Sequence, residues 1–170
     1  MDRWCFFEGC ASGLVKGEYC LWNEESFEGA TELDGVRRQC KAGRLPPMSP
    51  SQFETTLRTR LRQGSLGFTN GKVDADLVID LYRSGFIQAF ETLPQLSLGH
   101  NVISFAGLGF STIPNGIDTF VSALSFVQEH CSFEKHGPIQ ISVEGNGFSN
   151  ADRQRLWDTV RNCKGIVLHV

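Results

Sequence analysis

The chain has 170 residues, 41% of them apolar and 21% charged, with a net charge of −3. That is enough apolar material for one large or two small cored domains. The acidic balance excludes a nucleic-acid binder, which needs a basic surface to neutralise phosphates, and no run of ~18 apolar residues offers a membrane span.

The first segment, MDRWCFFEGC, lacks the basic-then-apolar order of a secretory signal. A cytoplasmic protein with reduced thiols is therefore expected. Trp4, Phe7, Ala11 and Leu14 recur at helical spacing and predict a helix over 1–16. A helix this apolar needs a covering partner. Either the rest of this chain supplies it, or residues 1–48 are the tail of a larger upstream domain. Cys20, Leu21 and Trp22 read as a short buried strand, and a weaker helical pattern runs over 29–40.

Ser49 to Gly64 carries the clearest helix signal. Ser49 is placed to cap it, Pro50 suits the first turn, Gln52 closes a capping box and Gly64 stops it. Phe53, Leu57 and Leu61 form its apolar stripe. Arg58, Arg60 and Arg62 lie off that stripe and read as a solvated surface in preference to an anion-binding face. After the Asn70–Gly71 turn, Asp74 or Asp76 starts a second helix. Val78, Leu81, Tyr82, Phe86, Phe90 and Leu93 share its face. The Asp-x-Asp pair lacks the remaining ligands of a calcium loop, so capping explains it. Residues 49–92 are thus a helical cap or linker.

The C-terminal half repeats a pattern. Leu93-Pro-Gln-Leu96-Ser-Leu98-Gly-His-Asn101-Val-Ile103 fits L-x-x-L-x-L-x-x-N-x-L. Pro138-Ile-Gln-Ile141-Ser-Val143-Glu-Gly-Asn146-Gly-Phe148 fits it except at Pro138, and Gly165-Ile-Val-Leu168-His-Val170 begins it again. Ile141 and Leu168 stand 27 residues apart, within the known repeat range. A helix capped by Ser149 or Asn150 lies between them, with Leu156, Trp157, Val160 and Cys163 facing one way. Another, Ile117–Cys131, carries Ile117, Phe120, Val121, Leu124 and Cys131 at helical spacing. The first strand is open between two registers, 96–98 and 103–105; the second gives up the Asn.

These residues resemble ribonuclease-inhibitor-like leucine-rich repeats over roughly 93–170. The resemblance implies an α/β fold: a short parallel sheet backed by helices, with a helical N-terminal cap. It also implies an Asn side chain that bonds the backbone where the chain leaves the strand. Ile141, Val143, Leu168 and Val170 would be inward rungs of one sheet. The alternating positions then face solvent, and Ser97 or Ser104, Gln140, Ser142, Glu144 and His169 are the candidate contact residues for a protein or peptide partner.

Two weaker likenesses exist. Gly107-Leu-Gly-Phe110 resembles the carboxylate-binding loop of PDZ domains, whose open amides receive a peptide C-terminus. That reading requires strands where 117–131 has helical spacing, and it lacks the groove-helix His. Arg3, Trp4, Cys5 and Glu8 are similar to a segment of TIR-like or heterokaryon-incompatibility-like domains, which implies an enzyme fragment without its catalytic part.

No nucleotide loop, G-x-S-x-G or nucleophile–base pair stands out. Cys5, Cys10 and Cys20 cluster, as do His130, Cys131 and His136, but without a C-x-x-C pair zinc is disfavoured. The expectation is a non-catalytic interaction module without cofactor or metal.

Overall fold

A computed structural model describes residues 3–15, 28–29, 31–32, 35, 45–68, 70–92, 102–134 and 137–170. Helix α1 spans Arg3–Val15, α2 Pro50–Arg62 and α3 Lys72–Glu91. Strand β1 (Val102–Ser104) leads through a 3-10 turn at Phe110–Thr112 into α4 (Gly116–His130). Strand β2 (Ile139–Ser142), α5 (Asn150–Val160) and β3 (Ile166–His169) follow. The three strands form one sheet in the order β1-β2-β3, and both pairings are parallel. A parallel pair needs a crossover, and α4 and α5 supply the two crossovers. The chain is an α/β protein whose parallel sheet is backed by helices.

Local chemistry sets the helix ends. The Ser49 hydroxyl accepts from the Gln52 amide at 3.3 Å, and Gln52 Oε1 accepts from the Ser49 amide at 3.1 Å. Gly64, at φ +70°, ends α2 in the left-handed conformation that costs glycine least. Ser149 and Asp152 make the matching box on α5. Asp74 does not cap α3 as its sequence position suggests. That helix starts earlier, at Lys72, and Asp74 accepts from the Asn70 backbone and side-chain amides at 3.0 and 3.1 Å. The carboxylate therefore ties down the Asn70–Gly71 turn from inside the helix.

A run of aromatic rings forms the core. Phe6 of α1 stacks on Phe53 of α2 at 5.6 Å, and Phe53 stacks on Tyr82 of α3 at 4.0 Å. Tyr82 leads to Phe86, which meets Phe126 of α4 edge-on at 5.4 Å. Phe126 in turn lies flat against His130 at 4.1 Å. Beside the sheet, Phe105, Phe110 and Phe120 pack with centroids 5.4–6.3 Å apart. The apolar side of α1 is thus covered by residues 49–92, through Phe6 and Leu14.

Three sequence expectations need correction. Leu81 is not on the buried face of α3; it is 47% exposed, and Ile79 and Ala89 help Val78, Tyr82, Phe86 and Phe90 fill that face. Trp157 is 46% exposed and does not share the inward face of Leu156 and Val160. One helical residue turns the side chain by about 100°, which carries Trp157 off the sheet. Phe126, absent from the expected face of α4, is buried at the junction of α4 with α3. The proposed strand at Cys20–Trp22, the 29–40 helix, the Leu93–Asn101 pattern and the side chains of Arg3, Trp4 and Cys5 lie outside the described residues.

Candidate partner-binding face

Period-two alternation sorts the strand residues onto two faces. Ile103, Ile141 and Leu168 stand side by side across the sheet, as do Ile139 and Ile166. These, with Phe105 and Val143 just beyond the strands, pack against the helices. Ile141 and Val143 are fully buried. The register of the first strand is settled at Val102–Ser104, the second of the two open choices.

The opposite face is turned outward. One row is Val102–Gln140–Val167 and the next is Ser104–Ser142–His169. The structure therefore brings Ser104, Gln140, Ser142 and His169 onto one surface. His169 Nε2 and Gln140 Oε1 lie 3.2 Å apart and join the rows diagonally. Glu144, past the end of β2, is also exposed, and its carbonyl accepts from the Gly107 amide at 2.8 Å. Ser97 is outside the described residues.

Val102 and Val167 belong to this face, and the sequence reading passed over them. Val167 is 43% exposed. The alternation of Ile166, Leu168 and Val170 already pointed Val167 outward. The candidate contact residues are the polar ones among the alternating positions, which leaves an apolar outward residue aside.

Asn146 fixes the geometry of the sheet's C-terminal end. It is only 2% exposed, and its side chain makes four hydrogen bonds. Nδ2 donates to the carbonyls of Phe105 at 2.8 Å and Val143 at 2.7 Å. Oδ1 accepts from the amides of Leu108 at 3.0 Å and Phe110 at 3.2 Å. One buried amide group thus satisfies backbone from two successive turns, which would otherwise be buried unpaired. These bonds also occupy the Gly107–Phe110 loop. With the Leu108 and Phe110 amides on Asn146, and the Gly107 amide on Glu144, the loop has no open row of donors for a peptide carboxylate. A helix, not strands, follows it.

The remaining candidates are engaged elsewhere. Arg58 pairs with Glu54 and Asp76, each at 2.9 Å, and the Arg60 guanidinium lies 4.4 Å from the centre of the Phe6 ring. Burial pushes the Cys10 thiol up to about 12, against a smaller downward pull from Arg60. Burial likewise pushes Cys131 up to about 12, helped by Glu91 and Cys163. Both are protonated at neutral pH, so neither is an activated nucleophile. Among the described residues no three His, Cys, Asp or Glu side chains gather as a metal site. Cys20 and His136, named in the zinc reading, lie outside them. Also among the described residues, no helix is long and apolar enough to cross a membrane.

No protein-family model matches the chain, and no match is found among curated proteins or solved structures.

Proposed function

We propose that the chain is a non-catalytic protein- or peptide-interaction module of leucine-rich-repeat-like build, and that the outward face of its sheet is the contact surface. The carrying observation is the in-register pair of rows Val102–Gln140–Val167 and Ser104–Ser142–His169 on three parallel strands. Helices α4 and α5 occupy the other side, so the rows are held on a stiff support. The Asn146 bonds and the spacing of Ile141 and Leu168 support the repeat-like reading.

The chemistry of the face limits the partner. Serine hydroxyls, one amide and one imidazole make a shallow surface that bonds through polar contacts and bridging water. Val102 and Val167 at the two ends of one row add apolar contact at its margins. Such a face suits an extended peptide or a flat protein surface; it has no enclosed cavity for a small metabolite.

The test is position-specific photocrosslinking in cells. A crosslinking residue at Gln140, Ser142 or Val167 should capture a defined protein, and one at Gln154 on the helical side should not. The captured protein, once purified, should lose binding to Ser142→Arg while that variant melts at the wild-type temperature. Equal capture from Gln154 and Ser142, or full binding by Ser142→Arg, would sink the reading.

A further inference from the structure

We propose a second docking site, distinct from the sheet face, on the open edge of β3, where an extended acidic peptide adds as a fourth strand. In β3 the odd-numbered residues face β2: Gly165 and His169 accept from the amides of Ile139 and Val143 at 2.9 and 2.8 Å. Alternation turns the backbone N–H and C=O of Leu168 away from β2, along with the carbonyl of Ile166 and the amide of Val170. Among the described residues no strand pairs with that side. An edge is normally blunted by a charge, a proline or a bulge. Ile166-Val-Leu-His169 has no Lys, Asp, Glu or Pro, and it pairs with β2 residue for residue.

The helix above this edge gives the site its chemistry. Arg153 and Trp157 of α5 and Arg161, the residue that closes its C-terminal end, stand at i, i+4 and i+8 and form one exposed stripe. Leu156 and Val160 of the same helix face the sheet, and Arg155 reaches Asp118 on α4 at 2.6 Å. At about 100° per residue, the Trp157 stripe is on the side of α5 opposite Arg155, above the open edge. Lys164, exposed, enters β3 at its start. Of these cations only Arg161 has a carboxylate partner, Asp158. On a chain of net charge −3, the end of the sheet thus joins unpaired strand backbone, an indole 46% exposed, and basic side chains. Strand addition supplies affinity through main-chain bonds and selectivity through alternate side chains. Here the side chains of the peptide that face the helices, every second residue, would set an apolar group under Trp157 between carboxylates that meet Arg153 and Lys164.

The experiment uses the full chain and a blocked synthetic heptapeptide with glutamate, valine and glutamate at its second, fourth and sixth positions and threonine between them, so that the three share one face, followed by NMR and amide hydrogen exchange. The peptide should slow exchange of the Leu168 amide and shift the Trp157 indole N–H. Affinity should fall at least tenfold for the charge-reversed variant Arg153→Glu/Lys164→Glu, whose exposed sites leave the melting temperature unchanged. A peptide with lysine replacing glutamate, and an N-methylated copy that cannot donate along the strand, should not bind. Equal binding of the lysine peptide, or an unchanged Leu168 amide, overturns the proposal. Slow Leu168 exchange without peptide that speeds up on dilution also overturns it, in favour of a second copy at the edge. Shifts confined to Val102, Gln140 and Ser142 would move the peptide to the sheet face, defeating the edge site while sparing the proposed function.

Discussion

Leu108 donates its backbone amide to the side-chain oxygen of Asn146, 3.0 Å away and 38 residues further along the chain. The bond locks the exit of one strand to the exit of the next. Leu108 occupies the place in its own turn that Asn146 occupies in the following one, so a single Asn serves both. Replacing it by alanine strands two buried carbonyls and two amides. At about 1–3 kcal/mol for an unsatisfied buried group, partly offset by water entry, Asn146→Ala should cost more than 3 kcal/mol. Urea unfolding at equilibrium measures this. Asn146→Asp should also be destabilising, because a carboxylate cannot donate to Phe105 and Val143. Wild-type stability for either variant would remove Asn146 from this role.

A second prediction concerns Gly165. A methyl group there would lie 1.9 Å from Cδ2 of Phe133, so Gly165 is required by space, not by φ. Gly165→Ala should cost about 1–3 kcal/mol through overpacking at the entry to β3. The same change in a Phe133→Ala background should cost far less. A double-mutant cycle reads the coupling directly, and additive costs would show that the ring moves aside freely.

The two serine caps should differ. Ser149 is an exposed cap bonded to its own helix. Ser49 is 2% exposed, and its hydroxyl also lies 2.9 Å from that of Ser122 on α4. Loss of a cap costs about 0.5–2 kcal/mol. Ser149→Ala should fall at the low end of that range in thermal or urea melts. Ser49→Ala should fall at the high end, since it also leaves the Ser122 hydroxyl without this partner. The reverse ranking would show that the contact between helices contributes nothing.

Cys10 predicts a pH effect. Burial raises its thiol from the ordinary 9.0 to about 12 in the folded chain. The folded value is the higher one, so the folded state holds the proton more tightly than the unfolded state does. The associated stability is fully present below pH 9 and is lost as pH rises from 9 to 12. Melting curves across that window should fall more steeply for the wild type than for Cys10→Ala. At pH 8, iodoacetamide should label Cys10 slowly in the native protein and rapidly in urea. Matching slopes and matching labelling rates would contradict this account.

Features written in neighbouring residues were readable from the sequence. The Ser49–Gln52 box, a helix cap at Ser149 or Asn150, and the alternation of Ile139, Ile141 and Val143 each need only short-range chemistry. Their expected structures match. The sheet face followed from the same alternation, once Ile141 and Leu168 were taken as neighbours. What failed depended on where a stripe ends. Trp157 and Leu81 are apolar letters next to genuine core positions, and only the neighbouring elements decide that the burial stops before them. The first strand was ambiguous because two overlapping apolar runs fit one template. Pairing with β2 selects the one in which Ile103 meets Ile141. No local signal could announce that Asn146 would bond Leu108, since that contact exists only after two strands align.

The ring-to-ring path from Phe6 to His130 has a practical bearing on how this chain can be dissected. It passes residue 48 between Phe6 and Phe53, and residue 92 between Phe86 and Phe126. Scissors applied at either point would bare a phenyl face to water on both fragments. A recombinant piece beginning at residue 93 should bind hydrophobic dyes and precipitate, whatever the merit of its three strands.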